Sequence, residues 1–237
     1  MTGVQTCALP IYGLKKELIF LQSIGPRLGG LLTKDIGELK RIFLSPGPIF
    51  DPEDRMDDYW GYTEAFYSVG FRPGDVVQVT FNYHLSPAGL MFEEPLRNLG
   101  CASIPAGPTD PGTQLDIMQK LRVSGYVGTA SYLMHLAQKA EEKGINLRKD
   151  LFQEVAFVTG ERLSEKMRNQ LEKKFDIILR QGYGTADVGC IGYECFHKTG
   201  LHISNRCYVE ICHPDTGIPL KDGEVGEIVV TSFNKTY

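Results

Sequence analysis

The chain has 237 residues and a net charge of −4, with 42% hydrophobic and 23% charged residues. This is an ordinary balance for a globular protein able to bury a core, and the lack of a basic surplus argues against a nucleic-acid partner. No apolar run reaches the length a membrane-spanning helix needs, so the composition points away from a membrane protein.

In chain order, the segment Thr2-Gly3-Val4-Gln5-Thr6-Cys7-Ala8-Leu9-Pro10-Ile11 carries no charge and has no basic start, so it makes a poor signal peptide. It resembles the translation of a sequencing-library adapter, and residues 1–11 are set aside from the fold, Cys7 with them. Five of the six cysteines then remain. They are odd in number and unevenly spaced in a chain too large to need disulfide staples, which indicates a reducing cytoplasm. Leu44-Ser45-Pro46-Gly47-Pro48-Ile49 reads as a rigid turn before a helix from about Glu53 to Val69.

From Gly74 onward strand and helix alternate. Val76 to Phe81 is β-branched and apolar, and Pro87 to Leu99 follows as a helix that Pro95 kinks or shortens. Ala102 to Pro105 is a short strand, and Leu115, Ile117, Met118 and Leu121 lie at helical spacing within Thr113 to Val123. A strand at Gly125 to Gly128 leads to a helix capped by Ser131 and ended by Gly144. Val155 to Val158 is a strand, a helix opens at Ser164, and residues 175–180 close the series as a strand. This rhythm predicts an α/β fold, a mostly parallel sheet flanked by helices on both faces. After Gly200, His202-Ile203, Tyr208 to Cys212 and Glu227 to Thr231 read as strands joined by tight turns, the start of an antiparallel β subdomain. The chain stops at Tyr237, soon after an apolar strand and without a cap or tail. It therefore reads as a fragment, with an α/β core over 12–199 and a truncated β subdomain over 200–237.

Ligands of such sheets bind outside the carboxyl ends of the strands, and polar residues recur there. In Gln181-Gly182-Tyr183-Gly184-Thr185-Ala186-Asp187, Tyr183 can stack on a base, Thr185 can bond a phosphate oxygen and Asp187 can hold Mg²⁺. An ordinary strand-to-loop turn would also explain the pattern. Tyr83 and His84 follow the strand that ends at Phe81, Gly128 lies at the end of strand 125–128, and Gly160-Glu161 ends strand 155–158. The blander readings are a structural histidine at His84 and, at Glu161, an acid near a helix N-terminus. Cys190, Cys195, His202, Cys207 and Cys212 lie close together in sequence. Cys195, His202 and Cys207 are the candidate set for a structural zinc, but no C-x₂-C pair occurs, and buried unliganded cysteines are the competing reading.

The Tyr183-Gly184-Thr185-Ala186-Asp187 run resembles the Y-G-x-T-E motif of the acyl-adenylate-forming (AMP-dependent synthetase/ligase) superfamily, and the chain is most similar to its phenylacetate–CoA ligase branch. Leu44 to Ile49, Asn82-Tyr83-His84-Leu85-Ser86-Pro87-Ala88-Gly89, Thr159-Gly160-Glu161, Tyr193-Glu194-Cys195 with Gly200-Leu201-His202, and Gly226 to Val230 fit that branch in order. The resemblance covers roughly residues 20 to 237 and implies part of the N-terminal domain of such an enzyme. It further implies ATP, Mg²⁺ and CoA as co-reactants and a small-molecule (aryl) carboxylic acid as substrate; a cytoplasmic place accords with the cysteines, and a homodimer is the default for an enzyme of this size.

By the same resemblance, Ser45 and Gly47 touch phosphate, and Tyr83, His84 and Gly128 line the acyl pocket, with His84 orienting the carboxylate. Gly160, Glu161, Gln181, Gly182, Tyr183 and Gly184 surround the adenine. Thr185 and Asp187, the latter through Mg²⁺, neutralise charge. The reaction so implied joins two anions, carboxylate and α-phosphate, so it asks for positioning and charge neutralisation rather than a nucleophilic side chain. Two departures stand out. Two prolines and no following lysine occupy the phosphate loop, and Asp187 replaces a glutamate. The family's ribose-binding aspartate, the arginine beyond it and the mobile C-terminal domain with its lysine fall outside residues 1–237, so this fragment by itself is expected to have little activity and weak nucleotide affinity. The alternatives are a non-catalytic nucleotide- or acyl-binding remnant and another Rossmann-like nucleotide enzyme. The latter predicts a G-x-G-x-x-G turn where this chain reads Asn82-Tyr83-His84-Leu85-Ser86-Pro87.

Overall fold

The computed structural model describes residues 11–45 and 47–232, with side chains from Lys16 onward. The adapter-like segment lies outside these residues except for Ile11. In chain order the first elements are α1 (Ile11–Ile24), β1 (Arg41–Ser45), β2 (Ile49–Glu53) and α2 (Thr63–Val69). The alternating region follows as β3 (Val76–Val79), α3 (Ala88–Asn98), β4 (Ala102–Pro105), α4 (Pro111–Lys120), β5 (Gly125–Gly128), α5 (Ala130–Glu142), β6 (Val155–Val158), α6 (Glu165–Phe175) and β7 (Ile178–Thr185). Then come β8 (Gly189–Tyr193), β9 (His202–Ile203), β10 (Cys207–Cys212) and β11 (Glu227–Ser232). No helix among the described residues is long and apolar enough to cross a membrane.

The chain forms two compact units. One comprises residues up to Tyr59 together with those from Asn205, and the other runs from Trp60 to Ser204. In the first, β1 and β2 form an antiparallel hairpin, Ser45 opposite Ile49, and β10 pairs with β11, Cys212 opposite Glu227. The expected helix from Glu53 is corrected here, because residues 49–53 are strand and the helix occupies only 63–69. Pro48 and Pro52 lack the amide donors a helix needs. The buried Glu53 carboxylate is instead held across the hairpin by Arg41 at 3.0 and 3.2 Å, with Lys40 at 3.4 Å.

The second unit contains a seven-stranded sheet of order β4-β3-β5-β6-β7-β8-β9. Its first five strands are parallel and the last two antiparallel. Both faces are covered, and β6 shows how. Ala156 and Val158 enter a core with Leu115 and Met118 of α4, Leu133 and Leu136 of α5, and Leu171 of α6. Phe157 points the other way, its ring 5.0 Å from Phe66 of α2, which in turn meets Phe71 at 5.3 Å. This period-two alternation is what a strand buried on both faces requires.

Local chemistry fixes the element ends. Asp110 caps α4 by accepting from the Thr113 amide at 3.0 Å, with Pro111 in the first turn, so the helix starts two residues before Thr113. The Thr129 hydroxyl, not Ser131, caps α5, accepting from the Tyr132 amide at 3.2 Å. Ser164 caps α6 as expected, accepting from the Met167 amide at 3.2 Å. At the far end of α6, Phe175 is still helical and Asp176 turns the chain at φ 63°, so the strand expected from 175 begins at Ile178 and runs on to Thr185.

Candidate active site

The sheet order reverses once, between β3 and β5, since β3 leads outward to β4 and the chain then returns to the other side of β3. That reversal opens a crevice at the carboxyl ends of the parallel strands. Four segments emerge there within the second unit: Phe81 to His84 after β3, Gly128-Thr129 at β5, Thr159 to Glu161 after β6, and the second half of β7.

β7 outruns its parallel neighbour. Its pairing with β6 ends with Val158 opposite Gln181, after which it pairs only with β8, Gly182 opposite Tyr193 and Tyr183 opposite Gly192. A bulge falls between Tyr183 and Gly184. The Gln181–Thr185 run is thus strand, not the loop the sequence suggests, and it projects past the parallel sheet. The Thr159 hydroxyl donates to the Gly182 carbonyl at 2.9 Å, which ties the Gly160-Glu161 turn alongside Tyr183. Tyr183 is 42% exposed, so its ring presents a face to solvent. The Thr185 hydroxyl accepts from the Val188 amide at 3.1 Å and keeps its proton to donate. Asp187 is half-buried in the same turn.

The motif's glycines are required by packing from behind. A Cβ on Gly182 would come within 2.3 Å of the Phe157 ring, and one on Gly184 within 2.2 Å of the Tyr62 hydroxyl and 2.3 Å of the Gly189 carbonyl. Gly128 is similar: a Cβ there would sit 2.1 Å from the Thr80 hydroxyl and 2.2 Å from that of Tyr126. Those two hydroxyls are joined at 3.1 Å, and Tyr126 donates onward to the Thr129 carbonyl at 3.1 Å. Burial holds the Tyr126 phenol well above its usual range.

Glu161 reaches across to the N-terminus of α5, where its carboxylate accepts from the Ser131 amide at 2.6 Å and the Ser131 hydroxyl at 2.9 Å. That is a favourable place for a negative charge. It is the helix preceding Glu161, not the one following it, that the carboxylate meets. Gly160 has φ +84° and lies near the Phe81 ring. Tyr83 and His84 diverge. The Tyr83 ring lies against Gly89 at the start of α3 with its hydroxyl buried, and burial first, then the Glu93 carboxylate, push that phenol well above its usual range. His84 is exposed, its backbone amide donating to the Asn82 side chain at 2.8 Å.

Behind the motif lies a buried network that sequence reasoning missed. Glu194, 4% exposed at the exit of β8, accepts from the Gln181 amide at 3.0 Å and the Gln181 side chain at 2.8 Å. Arg168 of α6, 1% exposed, forks onto the same carboxylate at 2.7 and 2.9 Å and donates to the Leu179 carbonyl at 3.0 Å. Burial pushes the Glu194 carboxyl up, but the bonds from Arg168 and Gln181 outweigh it and hold the group below the usual glutamate range. A signal existed: Arg168 shares the helix face of Leu171 and Phe175, both core residues, where a charge needs a buried partner. Gln181, expected beside a nucleotide, spends its side chain on this network.

Ser45 and Gly47 belong to the first unit. The Ser45 hydroxyl is buried and donates to the Ile49 carbonyl at 3.3 Å, closing the hairpin, while Gly47 at φ +136° sits exposed at its tip. Pro46 lies outside the described residues. The zinc expectation is corrected. No group of three or more His, Cys, Asp or Glu side chains that could hold a metal occurs among the described residues, so Cys195, His202 and Cys207 do not form a ligand set. Among the described residues no disulfide joins the cysteines from Cys101 onward, and Cys101, Cys190 and Cys212 are buried. Each fits as a small hydrophobe where it sits.

Residues 59–235 match the family described as AMP-binding enzyme. Phenylacetate-coenzyme A ligase of Pseudomonas putida is 30% identical over 172 residues, which is 71% of this chain and 39% of that protein. The Escherichia coli K12 protein of the same name is 28% identical over 190 residues, 75% of this chain and 42% of its own length. This chain therefore spans about two-fifths of the curated relatives it matches. Among solved structures, 2-hydroxyisobutyryl-CoA ligase in an open conformation with 2-HIB-AMP and CoA superposes with a TM-score of 0.86 at 21% identity, covering 94% of this chain and 54% of that one. ATP-bound MatB from Rhodopseudomonas palustris gives 0.64 at 15% identity, covering 85% and 41%. At these identities the likeness is one of fold.

Proposed function

Because this chain belongs to the AMP-binding enzyme family, we propose that it is part of an AMP-forming acid–CoA ligase that takes its nucleotide along the projecting half of β7. The observation that carries this reading is the overrun of β7 itself. It sets the exposed Tyr183 ring beside the Gly160-Glu161 turn and follows it within four residues by a hydroxyl and a carboxylate, an aromatic-then-anion-handling order that suits base and phosphate. The named relatives, phenylacetate-coenzyme A ligases, support an aryl acid as substrate.

In this reading the acid is activated as an acyl-adenylate with release of pyrophosphate, and the CoA thiol then displaces AMP. Tyr183 and the Gly160 backbone bracket the adenine. Thr185 donates its free hydroxyl proton to a phosphate oxygen, and His84, exposed beyond β3, orients the acid. Asp187 with Thr185 offers the hard-oxygen set that suits Mg²⁺, an ion that binds through one or two carboxylates and completes its shell with phosphates and water. When bound, that ion would neutralise charge as two anions meet. Ser45 contributes less than expected, since its hydroxyl closes the hairpin.

The test is AMP and pyrophosphate release by the full-length protein containing this chain, with ATP, Mg²⁺, CoA and a panel of aryl and short-chain acids. Acid-dependent AMP formation is expected, falling by about 10²-fold or more in Asp187→Ala. The buried Ser45 hydroxyl and the proline-bearing hairpin favour one rival, a non-catalytic nucleotide-binding remnant. A folded full-length protein that binds ATP but turns over no acid would establish that rival.

A further inference from the structure

The nucleotide-facing run of β7 is anchored by charged groups that never face the crevice. Two clusters grip the strand just before it leaves the parallel sheet. In one, Arg168 and Glu194 form a forked pair whose carboxylate also takes both Gln181 donors, backbone and side chain. In the other, Arg180 donates to the Cys195 carbonyl at 3.0 Å and to Glu172 of α6 at 3.2 Å, and Glu172 also receives the Leu179 amide at 3.2 Å. Helix α6, strand β7 and the exit of β8 are thereby joined at residues 179–181, the last point where β6 supports β7.

We propose that Arg168 and Glu194 are positioning residues: through Gln181 they fix the height and twist of Gly182 to Thr185, and so set nucleotide affinity without touching nucleotide. This inference rests on the functional reading above. The physical case is that a strand projecting beyond its neighbour has lost one ladder of backbone bonds. Four charge-assisted bonds on one carboxylate, 2.7 to 3.0 Å long, replace that support at the root of the projection. A packing role alone would be served equally well by apolar side chains of similar volume, since such exchanges for buried ion pairs are often neutral in stability. Gln181 would then have no acceptor for its two donors. Of the residues assigned to the acid, Tyr83 and His84 follow β3, away from the Arg168–Glu194–Gln181 bonds, so the effect should fall chiefly on the nucleotide side.

The experiment uses the full-length protein, with AMP as the titrated probe and amide hydrogen exchange as a second readout. In Arg168→Met/Glu194→Leu, exchange over 181–185 should accelerate and the AMP dissociation constant should rise by roughly tenfold to a hundredfold, with an unchanged KM for the acid and a single cooperative melting transition. Glu165→Ala removes only the exposed third contact of Arg168 and should change none of these. A folded double variant with native exchange over 181–185 and native AMP affinity would overturn the proposal. If the double variant does not fold, Glu194→Gln, which keeps the shape and loses the charge, is read in the same way. If the unsubstituted protein binds no AMP and forms none, the functional reading fails, and faster or unchanged exchange over 181–185 still decides whether the pair positions the strand.

Discussion

Glu194 keeps a charge at 4% exposure because its bonds to Arg168 and Gln181 outweigh the loss of water. Its folded carboxyl lies below the ordinary 4.5, so its contribution to stability is fully present above about pH 4.5 and is lost as pH falls through the folded value. Acid unfolding followed by circular dichroism should therefore show a shallower acid limb in Glu194→Gln than in the unsubstituted chain. Removing one partner outright is harsher: Arg168→Ala should cost about 3–5 kcal/mol in urea denaturation, since it leaves a buried carboxylate unpaired. Gly182→Ala should cost about 1–3 kcal/mol by the same measurement, because a methyl group meets the Phe157 ring at 2.3 Å within a closely packed core. Tyr183, Thr185 and Asp187 could be singled out from sequence because their chemistry lies in their own side chains. Arg168 could be placed on a core-facing helix stripe, but its partner could not be named, because that partner lies twenty-six positions away.

Elements built on local rules were legible. The Ser164 cap, the parallel β-α alternation and the strands β10 and β11 all follow from short-range patterns, whereas His202-Ile203 joined the seven-stranded sheet, whose antiparallel part already begins at β8. Ser164→Ala should lower stability by about 1 kcal/mol, read from the urea midpoint, because the Met167 amide loses its acceptor. The misread elements share one cause. Residues 49–53 became strand because Glu53 found Arg41 and Lys40 across a hairpin, and Gln181 to Thr185 became strand because β8 folded back along them. In each case a partner strand overrode a sequence that reads locally as helix or loop.

Across the whole molecule, the thiols give a check on burial. Cys101 is buried beneath the Arg72 carbonyl, and burial, with Asp75 adding to it, pushes its thiol up to about 11. Site-resolved alkylation at pH 8 should therefore label the half-exposed Cys195 at least roughly tenfold faster than Cys101. The sequence by itself determined the α/β class and the family, because these rest on periodicity and on contiguous motifs. Only the tertiary structure decided that the motif's glycines answer to Phe157 and Tyr62, that Glu161 serves the N-terminus of α5, and that a buried Arg168–Glu194 pair holds β7. Each of these depends on which strands and helices become neighbours, and long-range packing sets that, not the order of residues along any one segment.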